Sequence, residues 1–586
     1  MFPYLPERFT ADEQDVLRRY FTNLDRPVFA LVNLPEVVKG ALFARYSRSP
    51  KSLRRLFLDE FVGELDIRGD ATVDATVGLS RAEDLYSRVF VEYGDDSVAQ
   101  LGGVHLACEQ ASNLLTKILE RGRLMAYLEQ STRYIAYDNR LPNGHYRYHR
   151  PSDVLDSSLG ARYVGDMDRL YDTYADLLAR VHADLQGRYP KKAGDSDLVH
   201  RQAVRAKALD ATRGLLPAAA LSNVGMYGTG QSYELLLVRM RAHPLPEARH
   251  YADLMLEELR KVIPSFVQRV DRTDRGVAWS EYFASNRQTT AAIVDRLVGR
   301  SAGMSGHGGE TRAGGRGEGP DGEGGGGARV GGGEGEGEGE GEGEGEGEGE
   351  GRPEVRLVDF DPDGERKVIA AICYAYSDAS EDELARRVDL LGTDERRAIL
   401  AAYVGERTNR RHRPGRAFER TGYRFDLLTD YGAFRDLQRH RMATVEWQDL
   451  GPVHGFAVPE AVVDAGLDGA YRSSLERSAE LYGALVDTFP VAAPYAVALA
   501  FRIRYVIQCN AREAMHLIEL RSGTQGHPSY RSVAHQMHRL IAEQAGHRLI
   551  AEAMRFVDHQ DDGLGRLEAE RRSEERRVAS GAGEIL

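Results

Sequence analysis

The chain has 586 residues, of which 42% are hydrophobic, so it is long and apolar enough to form several domains. Its net charge of −13 is concentrated in residues 301–352, where twelve glutamates, one aspartate and four arginines contribute −9 and leave −4 for the rest. That near-neutral balance excludes the basic surface of a protein that coats nucleic acid, and we expect no nucleic-acid partner.

The cysteines, Cys108, Cys373 and Cys509, lie far apart and form no CxxC pair. This spacing predicts neither a disulfide framework nor a zinc site, and it favours a reducing compartment. The first residues, MFPYLPERFTADEQ, contain no apolar segment typical of a signal peptide. No apolar run approaches the length of a membrane span. We therefore predict a cytoplasmic protein without a metal site and without membrane contact.

The composition divides the chain into four parts. Glycine and glutamate alternate over a long run before Arg352. Such a run cannot bury apolar surface, because glycine is costly to order and like charges repel. We therefore predict a first domain, a disordered Gly/Glu-rich linker, a second domain and a charged tail, at residues 1–300, 301–352, 353–562 and 563–586.

In the first domain, apolar residues recur at helical spacing over residues 100–130, 160–188 and 247–262. We expect a helix in each segment. The first of these helices is predicted to end near Glu129, so that the residues after it form a turn.

The second domain opens with VRLVDFDP and VIAAICYAY, and it then alternates helices with short runs typical of strands, such as GYRFDLL. Its end has a strong helical pattern over residues 495–521 and 530–558. Helix exceeds strand in both domains, and enough strands remain to predict the α+β class for each.

The turn after Glu129 presents the Ser131 hydroxyl and the Arg133 guanidinium, and two further arginines lie just before that segment. A guanidinium fork beside a hydroxyl and turn amides forms a cradle for an oxyanion, typically a phosphate. A solvated, charged turn is the alternative interpretation of the same residues.

This segment resembles the signature of the flavin-dependent thymidylate synthases, RHRxxSxNExSxRY. The chain departs from the signature at Gly122, Ala126 and Leu128, where the family has His, Ser and Asn. The upstream stretch EYGDDSVAQ also resembles the family, although Gln100 stands where an acid is usual. The signature is matched at Arg121, Arg123, Glu129, Ser131, Arg133 and Tyr134.

The second domain contains a complementary remnant of the same signature. Residues 439–441 repeat the RHR start, and Thr444 stands in place of the serine. Residues 446–452 then depart from the pattern completely. Upstream, PGRAFE ends at Glu419 and resembles the region that contacts the flavin ribose in the family.

Two further segments resemble the family. CNAREAMHLIELRSG carries Asn510, Arg512 and Arg521 in the pattern of the family's C-terminal helix. Asn510 and Arg521 are eleven residues apart, which places them on one face of a helix of about 3.6 residues per turn.

TRGLLP contains Arg213 and is similar to the family's ARxxLP, whose arginine contacts the nucleotide. Arg239 falls near the position of the pyrimidine-reading arginine. Gly228 and Gly230 stand where the family has its flavin-contacting Asn and Arg, and Pro494 replaces the ARxxLP arginine in the second domain.

The resemblance implies two tandem, helix-rich, partly degenerate flavin-dependent thymidylate synthase-like domains. Such a protein methylates dUMP to dTMP, with methylenetetrahydrofolate as carbon donor, reduced FAD as hydride donor and NADPH as co-substrate. The resemblance assigns dUMP binding to Glu129, Ser131, Arg133 and Arg213, FAD binding to Glu419, Arg439, His440, Arg441, Asn510 and Arg512, and a catalytic role to Arg239 and Arg521.

Because the nucleotide residues survive in the first domain and the flavin residues in the second, we expect composite sites between the halves. Sites in the family lie at the subunit interfaces of a tetramer, so the resemblance also implies a homo-oligomer in which two chains form a pseudo-tetramer. The alternative is a degenerate relative that binds a nucleotide or flavin without turnover and has a regulatory or structural role.

Overall fold

The computed structural model describes residues 4–34, 42–43, 46, 49–60, 103–191, 196–298, 351–559 and 571. Nearly all of the predicted linker at 301–352 lies outside the described residues, as do the EYGDDSVAQ segment and, apart from Arg571, the predicted tail at 563–586. Among the helices that the structure describes, none is both long and apolar enough to cross a membrane.

The first half consists of a small sheet with helices around it. Its strands are β1 (Val28–Ala30), β2 (Gly103–Ser112), β3 (Met125–Glu129) and β4 (Leu221–Thr229). Its helices are α1 (Ala11–Leu17), α2 (Leu53–Glu60), α3 (Asn113–Leu119), α4 (Ser152–Leu155), α5 (Gly160–Arg188), α6 (Asp197–Thr212), α7 (Gly230–Arg241), α8 (Pro246–Arg260), α9 (Pro264–Val267) and α10 (Ala278–Leu297).

The second half repeats this plan. Its strands are β5 (Glu354–Phe360), β6 (Gly422–Asp430), β7 (Thr444–Trp447) and β8 (Arg502–Asn510). Its helices are α11 (Gly364–Tyr374), α12 (Glu381–Asp389), α13 (Thr393–Val404), α14 (Tyr431–Leu437), α15 (Glu460–Asp464), α16 (Asp468–Val486), α17 (Ala511–Arg521), α18 (Pro528–Glu543) and α19 (Arg548–Glu552).

The two sheets have the same antiparallel topology, with strand orders β1-β2-β4-β3 and β5-β6-β8-β7. In both halves a helix follows each central strand directly: α3 and α7 follow β2 and β4, and α14 and α17 follow β6 and β8. Mixed helices and sheets in two tandem units confirm the predicted α+β class.

Several predicted helices are correct, and two predictions are wrong. The helical segment predicted at 530–558 is interrupted, because α18 ends at Glu543 and α19 spans only Arg548–Glu552. Helix α5 coincides with the segment at 160–188, and α8 covers most of 247–262. In contrast, residues 100–130 form strand β2, helix α3 and strand β3, and residues 495–521 contain strand β8 before helix α17. Strand β2 is buried on both faces over much of its length, so periodicity does not distinguish it from a buried helix. Strand β8, in contrast, alternates buried residues with partly buried or exposed ones, and this alternation is visible in its sequence, RIRYVIQCN.

At the start of α3 and of α14, the side chain that caps the helix is hydrogen-bonded to one other side chain. Ser112 caps α3 and donates its hydroxyl to Glu247 at 2.6 Å. In the second half Asp430 caps α14 and accepts a hydrogen bond from the Ser529 hydroxyl. The carboxylate and the hydroxyl have therefore exchanged places between the two halves.

The halves pack against each other through their backbones. The segment from Gly214 to Ala218 runs antiparallel to a segment of the second half, and Ala218 donates its N–H to the carbonyl of Val497 at 2.7 Å. Leu499 donates back to Leu216 at 2.8 Å. One hydrophobic core extends across both halves. The interface between the halves is therefore continuous with the packed interior of each.

Gly214 lies where this contact leaves no room for a side chain. A Cβ atom added there would lie 2.0 Å from the Tyr471 hydroxyl and 3.0 Å from Ala500 Cβ. We expect Gly214→Ala to lower the free energy of unfolding by about 1–3 kcal/mol, as overpacked cores do. Guanidinium-induced unfolding measures this loss.

The buried Tyr471 hydroxyl has no hydrogen-bond partner among the described residues, so Tyr471→Phe should itself change stability little. It should also recover most of the loss caused by Gly214→Ala. An equal loss in the wild-type and Tyr471→Phe backgrounds would show that the hydroxyl is not the obstacle.

Candidate functional site

A cluster of charged side chains lies where the two halves meet, and we call it the composite cluster. Strand β3, the turn that follows it and the end of α6 supply its first-half members. Helices α14 and α17 and the turn after α14 supply the others. Its members are Glu129, Arg133, Arg213, Arg435, Asp436, Arg439 and Arg521.

Glu129 is the last residue of β3 and its side chain is fully buried. It accepts hydrogen bonds from Lys117 Nζ at 3.2 Å and from Arg435 Nη2 at 2.8 Å, and it also pairs with Arg439. Burial alone would raise the pKa of this carboxyl, but the charges of Arg435, Lys117 and Arg439 hold it well below its usual range. Glu129 is therefore an anion that both halves help to neutralise.

Asp436 is a second acid, and it lies among arginines from both halves. Arg213 Nη1 lies 3.3 Å from its carboxylate and Arg439 Nη1 lies 3.9 Å away. Burial opposes ionisation, but the charges of Arg213, Arg439 and Arg521 hold the pKa of this carboxyl well below its usual range. Asp436 thus orders the arginines around it while it remains ionised.

Arg133 is positioned by a bidentate pair with Asp210, at 2.7 Å for each bond. Its Nη1 donates to the Tyr530 hydroxyl at 2.6 Å, and its guanidinium lies 5.6 Å from that ring's centroid. Arg521 lies 5.3 Å from the same centroid. Tyr530 therefore joins the arginine of the first half to the arginine of the second, and the Ser131 hydroxyl is adjacent, because it accepts the Arg133 backbone N–H at 3.2 Å.

The cluster has unused donors and an excess of positive charge. Arg213 Nη2, Arg435 Nε and Arg439 Nε are buried without a hydrogen-bond partner among the described residues. With their immediate partners, the side chains comprise two more cations than anions: Lys117, Arg133, Arg213, Arg435, Arg439 and Arg521 against Glu120, Glu129, Asp210 and Asp436. Such a site suits a doubly charged oxyanion, for example a phosphate monoester.

His440 extends the cluster toward the interior of the second half. Its Nδ1 lies 3.1 Å from Glu513 Oε1, and Arg521 Nε donates to its Nε2 at 3.0 Å. Burial and the charges of Arg521 and Arg413 keep the pKa of His440 well below its usual range. His440 is therefore a neutral imidazole whose orientation is fixed from both sides.

His440, Glu513 and His516 present ligand atoms within 4.8 Å of one another, a spacing that could hold a metal ion. However, Arg413 Nη2 donates to His516 Nδ1 at 2.9 Å, and Arg521 occupies His440 Nε2. Two guanidinium groups at the ligand nitrogens oppose a cation, and we assign no metal to this group.

The predicted flavin residues Asn510 and Arg512 lie at the start of α17, and Glu419 lies in the 3-10 turn Arg416–Arg420 beside it. Asn510 caps that helix by accepting the Glu513 N–H at 2.9 Å. Arg512 donates to the carbonyl of Pro414 at 2.9 Å and lies 3.4 Å from Glu419. Asn510 therefore begins the helix that Arg521 ends, rather than lying within it as the sequence predicted.

Arg441 reaches across to the first half, where it donates to the carbonyl of Met125. Arg123 makes the reciprocal contact, donating to the Thr444 hydroxyl at 2.7 Å. Each edge strand is thus contacted by the last arginine of a triplet from the other half. Arg441 of the RHR triplet contacts β3, and Arg123 of the RGR triplet contacts β7.

Arg239 is not part of the composite cluster. Thr229 caps α7 and Asn510 caps α17, so the two residues are equivalent in the repeat. Counted from these caps, Arg521 corresponds to Met240, and Arg239 precedes that position by one residue. The same alignment corrects the positions predicted for Gly228 and Gly230. The residues that correspond to Asn510 and Arg512 are Thr229 and Gln231 rather than those two glycines. Arg239 is exposed on α7.

Sequence reasoning missed several members of the site. Asp436 lies three residues before Arg439, and Asp210 lies three before Arg213, so local spacing could have indicated both. Arg435, four residues before Arg439, had the same local signal. Folding within one half brings in Lys117, Glu120 and Glu513, and packing between the halves brings Tyr530 to Arg133.

The sequence profile of the thymidylate synthase complementing protein family matches the chain twice, at residues 45–265 and 356–546. The chain belongs to this family. Each half contains one family unit, and this confirms the tandem arrangement predicted from the split signature.

Family members of similar length are known. A UPF0159 protein of Chlamydia pneumoniae is 36% identical over 97% of this chain and 98% of its own length. A flavin-dependent thymidylate synthase of a Mycobacterium species is 28% identical over 31% of this chain and 67% of its own length. A UMP/dUMP methylase, PolB from Streptomyces cacaoi, solved with 5-Br dUMP, aligns over 34% of this chain and 96% of its own length, with 20% identity and a TM-score of 0.28.

The depressed pKa of Glu129 predicts how stability depends on pH. Because the carboxyl stays ionised in the folded state below its usual pKa of about 4, the unfolded chain takes up the proton first as the pH falls. Stability should therefore decrease from about pH 5 downward, and Glu129→Gln should lower it by about 3–5 kcal/mol at pH 7, where buried cations lose their partner.

The measurement is urea-induced unfolding between pH 7 and pH 3. In Glu129→Gln the loss of stability on acidification should be smaller by the contribution of one carboxylate. The exposed Glu480 of α16 supplies the matched control, since Glu480→Gln should leave both the stability at pH 7 and its acid dependence near wild type. Equal acid dependence in wild type and Glu129→Gln would contradict the assignment.

Proposed function

We propose that this protein is a FAD-dependent thymidylate synthase-like enzyme that methylates dUMP to dTMP at a composite site between its halves. Methylenetetrahydrofolate would donate the carbon, and NADPH would supply the reducing equivalents. The observation that carries the proposal is the meeting of Glu129, Arg133 and Arg213 with Arg439 and Arg521 across the interface.

The nucleotide phosphate is assigned to Arg133, Ser131 and Arg213. Arg213 Nη2 is a buried donor without a partner among the residues that the structure describes, and the cluster's two excess positive charges match a phosphate monoester dianion. Glu129 orients Arg439 and Arg435, and in this proposal it also approaches the nucleotide sugar.

The residues of the second half fit a flavin dinucleotide. Arg441 and Arg512 supply cations for its pyrophosphate, and Glu419, which is near Arg512, supplies a carboxylate for a ribose. Arg439, His440 and Asn510 complete the predicted set, and His440 presents a neutral ring rather than a charge. FAD, when bound, supplies the hydride that completes the methyl group.

The chain's own residues would polarise the pyrimidine. We assign this role to Arg521, whose buried guanidinium can stabilise negative charge that develops on a ring oxygen. A cysteine nucleophile does not fit, because Cys108 and Cys509 are buried in β2 and β8 and burial raises the pKa of both thiols, that of Cys509 to about 12. The pairing of two chains into a pseudo-tetramer and the cytoplasmic location stay predictions.

A degenerate, non-catalytic relative is the second candidate. Gly122 replaces the central histidine of the first-half triplet, and Trp447 occupies the second-half position that corresponds to Glu129. These losses favour a reduced number of working sites, and they leave the composite cluster intact.

The first test is the visible spectrum of the purified protein, reconstituted with FAD if necessary, during titration with dUMP. A flavin spectrum that shifts on dUMP addition would place both ligands together and should be accompanied by dTMP formation. A protein that takes up no flavin would contradict the synthase proposal and leave the non-catalytic relative.

Variants should separate the two ligands. Arg133→Ala removes charged hydrogen bonds worth about 1.5–3 kcal/mol each, so it should weaken dUMP binding by about 10- to 100-fold while leaving the flavin content near wild type. Arg512→Ala should lower flavin content and leave dUMP binding intact. Arg180→Ala, on the exposed face of α5, is the control, and loss of dUMP affinity in this variant would show that the effect is not specific.

A further inference from the structure

The guanidinium of Arg521 is held by hydrogen bonds at two of its three nitrogens. Its Nε donates to His440 Nε2 at 3.0 Å, and its Nη2 donates to the carbonyl of Asp436. The ring of Tyr530 lies against it, with the centroid 5.3 Å away. Nη1 makes no hydrogen bond within the part of the chain that the structure describes. The position of the guanidinium is therefore fixed, and Nη1 is the nitrogen left for a ligand.

The bond from Arg521 determines which ring nitrogen of His440 carries the proton. The Nε of a guanidinium always carries a proton and can only donate, so His440 Nε2 is an unprotonated acceptor. The proton of the ring is then on Nδ1, which lies 3.1 Å from Glu513 Oε1. Glu513 accepts this hydrogen bond, so that Glu513 orients His440 and His440 orients Arg521. We call these three residues the orienting chain.

Burial makes the orienting chain rigid. The side chains of His440 and Glu513 are 3% and 7% exposed, so water cannot readily replace the hydrogen bond between them. Glu513 is itself fixed, because its backbone N–H binds the Asn510 side chain that caps α17. Without Glu513 the Nδ1–H of His440 would be buried and unpaired. The ring would then turn or move its proton to Nε2, and either change would release Arg521.

The repeat provides an internal comparison, because the first half lacks the whole orienting chain. Equivalent positions follow from the RHR and RGR triplets and from the helix caps at the starts of α7 and α17. All three positions have changed together, as expected of residues that act as one unit. The equivalents are Gly122 for His440, Ser232 for Glu513 and Met240 for Arg521.

We propose that Glu513 is a positioning residue for pyrimidine recognition, which acts through His440 to hold Arg521 with Nη1 available to the pyrimidine of dUMP. This inference rests on the proposed function, in which Arg521 polarises that ring, and it gives a role to a residue that the resemblance left unassigned. Glu513 touches neither the nucleotide nor the flavin in this proposal. Its loss should therefore affect recognition of the pyrimidine and leave recognition of the phosphate unchanged.

Isothermal titration calorimetry of the FAD-reconstituted protein tests this role without turnover. Each variant is titrated with dUMP and, separately, with 2-deoxyribose 5-phosphate, which has the same sugar phosphate and no pyrimidine. Glu513→Leu should weaken dUMP binding by about 10-fold, because the hydrogen bond from a charged group is lost. It should leave the affinity for 2-deoxyribose 5-phosphate unchanged. In the dTMP-forming reaction kcat should fall by up to about 100-fold, as misplacement of a catalytic group by about 1 Å can do.

Two variants show whether Glu513 acts through its hydrogen bond to His440. Glu513→Gln retains an oxygen that can accept the Nδ1–H, so both affinities should stay near wild type. The double variant His440→Phe/Glu513→Leu should lose no more dUMP affinity than His440→Phe alone, because the two side chains are members of one chain.

Glu365 of α11 supplies the matched control. It is also a half-buried carboxylate of the second half, and it accepts the backbone N–H groups of Leu549 at 2.6 Å and Ile550 at 3.1 Å. Glu365→Leu should lower stability and leave both affinities and kcat unchanged. Near-ultraviolet circular dichroism checks that each variant is folded, and Glu513→Ala, with the same expected results, replaces Glu513→Leu if the larger side chain is not tolerated.

The contrast between the two ligands decides the proposal. Unchanged dUMP affinity in Glu513→Leu, an equal loss for both ligands, or the same loss in Glu365→Leu would overturn the positioning role. A wild-type protein that binds dUMP and forms no dTMP would instead contradict the proposed function. The calorimetric comparison would then still decide whether Glu513 acts on pyrimidine recognition.

Discussion

The structure depends on a buried carboxylate that neither half can neutralise alone. Glu129 has no access to water, and an ion in such a position is stable only if charged partners surround it closely. One partner, Lys117, comes from its own half, and two, Arg435 and Arg439, come from the other. The relative placement of the halves is therefore fixed by charge as well as by their shared core, and the unused arginine donors of the site are organised by the same constraint.

Many members of the composite cluster were accessible from the sequence, whereas several of their partners were not. The RHR triplet, Glu129, Arg133 and Arg521 were identified by motif. Arg439, Arg441 and Arg133 make contacts between the halves, whereas His440 contacts Glu513 and Arg521 within the second half. Lys117 and Tyr530 had no local pattern to reveal them, since their positions follow from packing between distant segments. The long amphipathic helices α5 and α8 were predicted well because one face of each meets solvent. Strand β2 was mistaken for a helix because its burial on both faces removes the alternation that identifies a strand. Strand β8 keeps that alternation, so the strand was predictable from the sequence.

Duplication also explains why two related positions in one chain can differ in chemistry. A single-domain protein that assembles from identical copies must place the same residue at every equivalent position. Once two units are joined, one position can keep Glu129 while the other acquires Trp447, and the cation opposite each is retained with a different partner. At the second position the indole packs on Arg121, and the neighbouring Glu446 supplies the carboxylate that pairs with it. The two sites can thus diverge while the backbone of both halves stays the same.

The exchange between Ser112–Glu247 and Asp430–Ser529 has a consequence for how these halves can evolve. Each pair works because it contains one acid and one hydroxyl, so a change at one member requires a matching change at the other. Recombination that transplanted α8 into the second half would bring Glu247 against Asp430, two acids in a buried position, and the reverse exchange would leave two serines. The two units are therefore complementary, and α8 of one and α18 of the other can no longer replace each other.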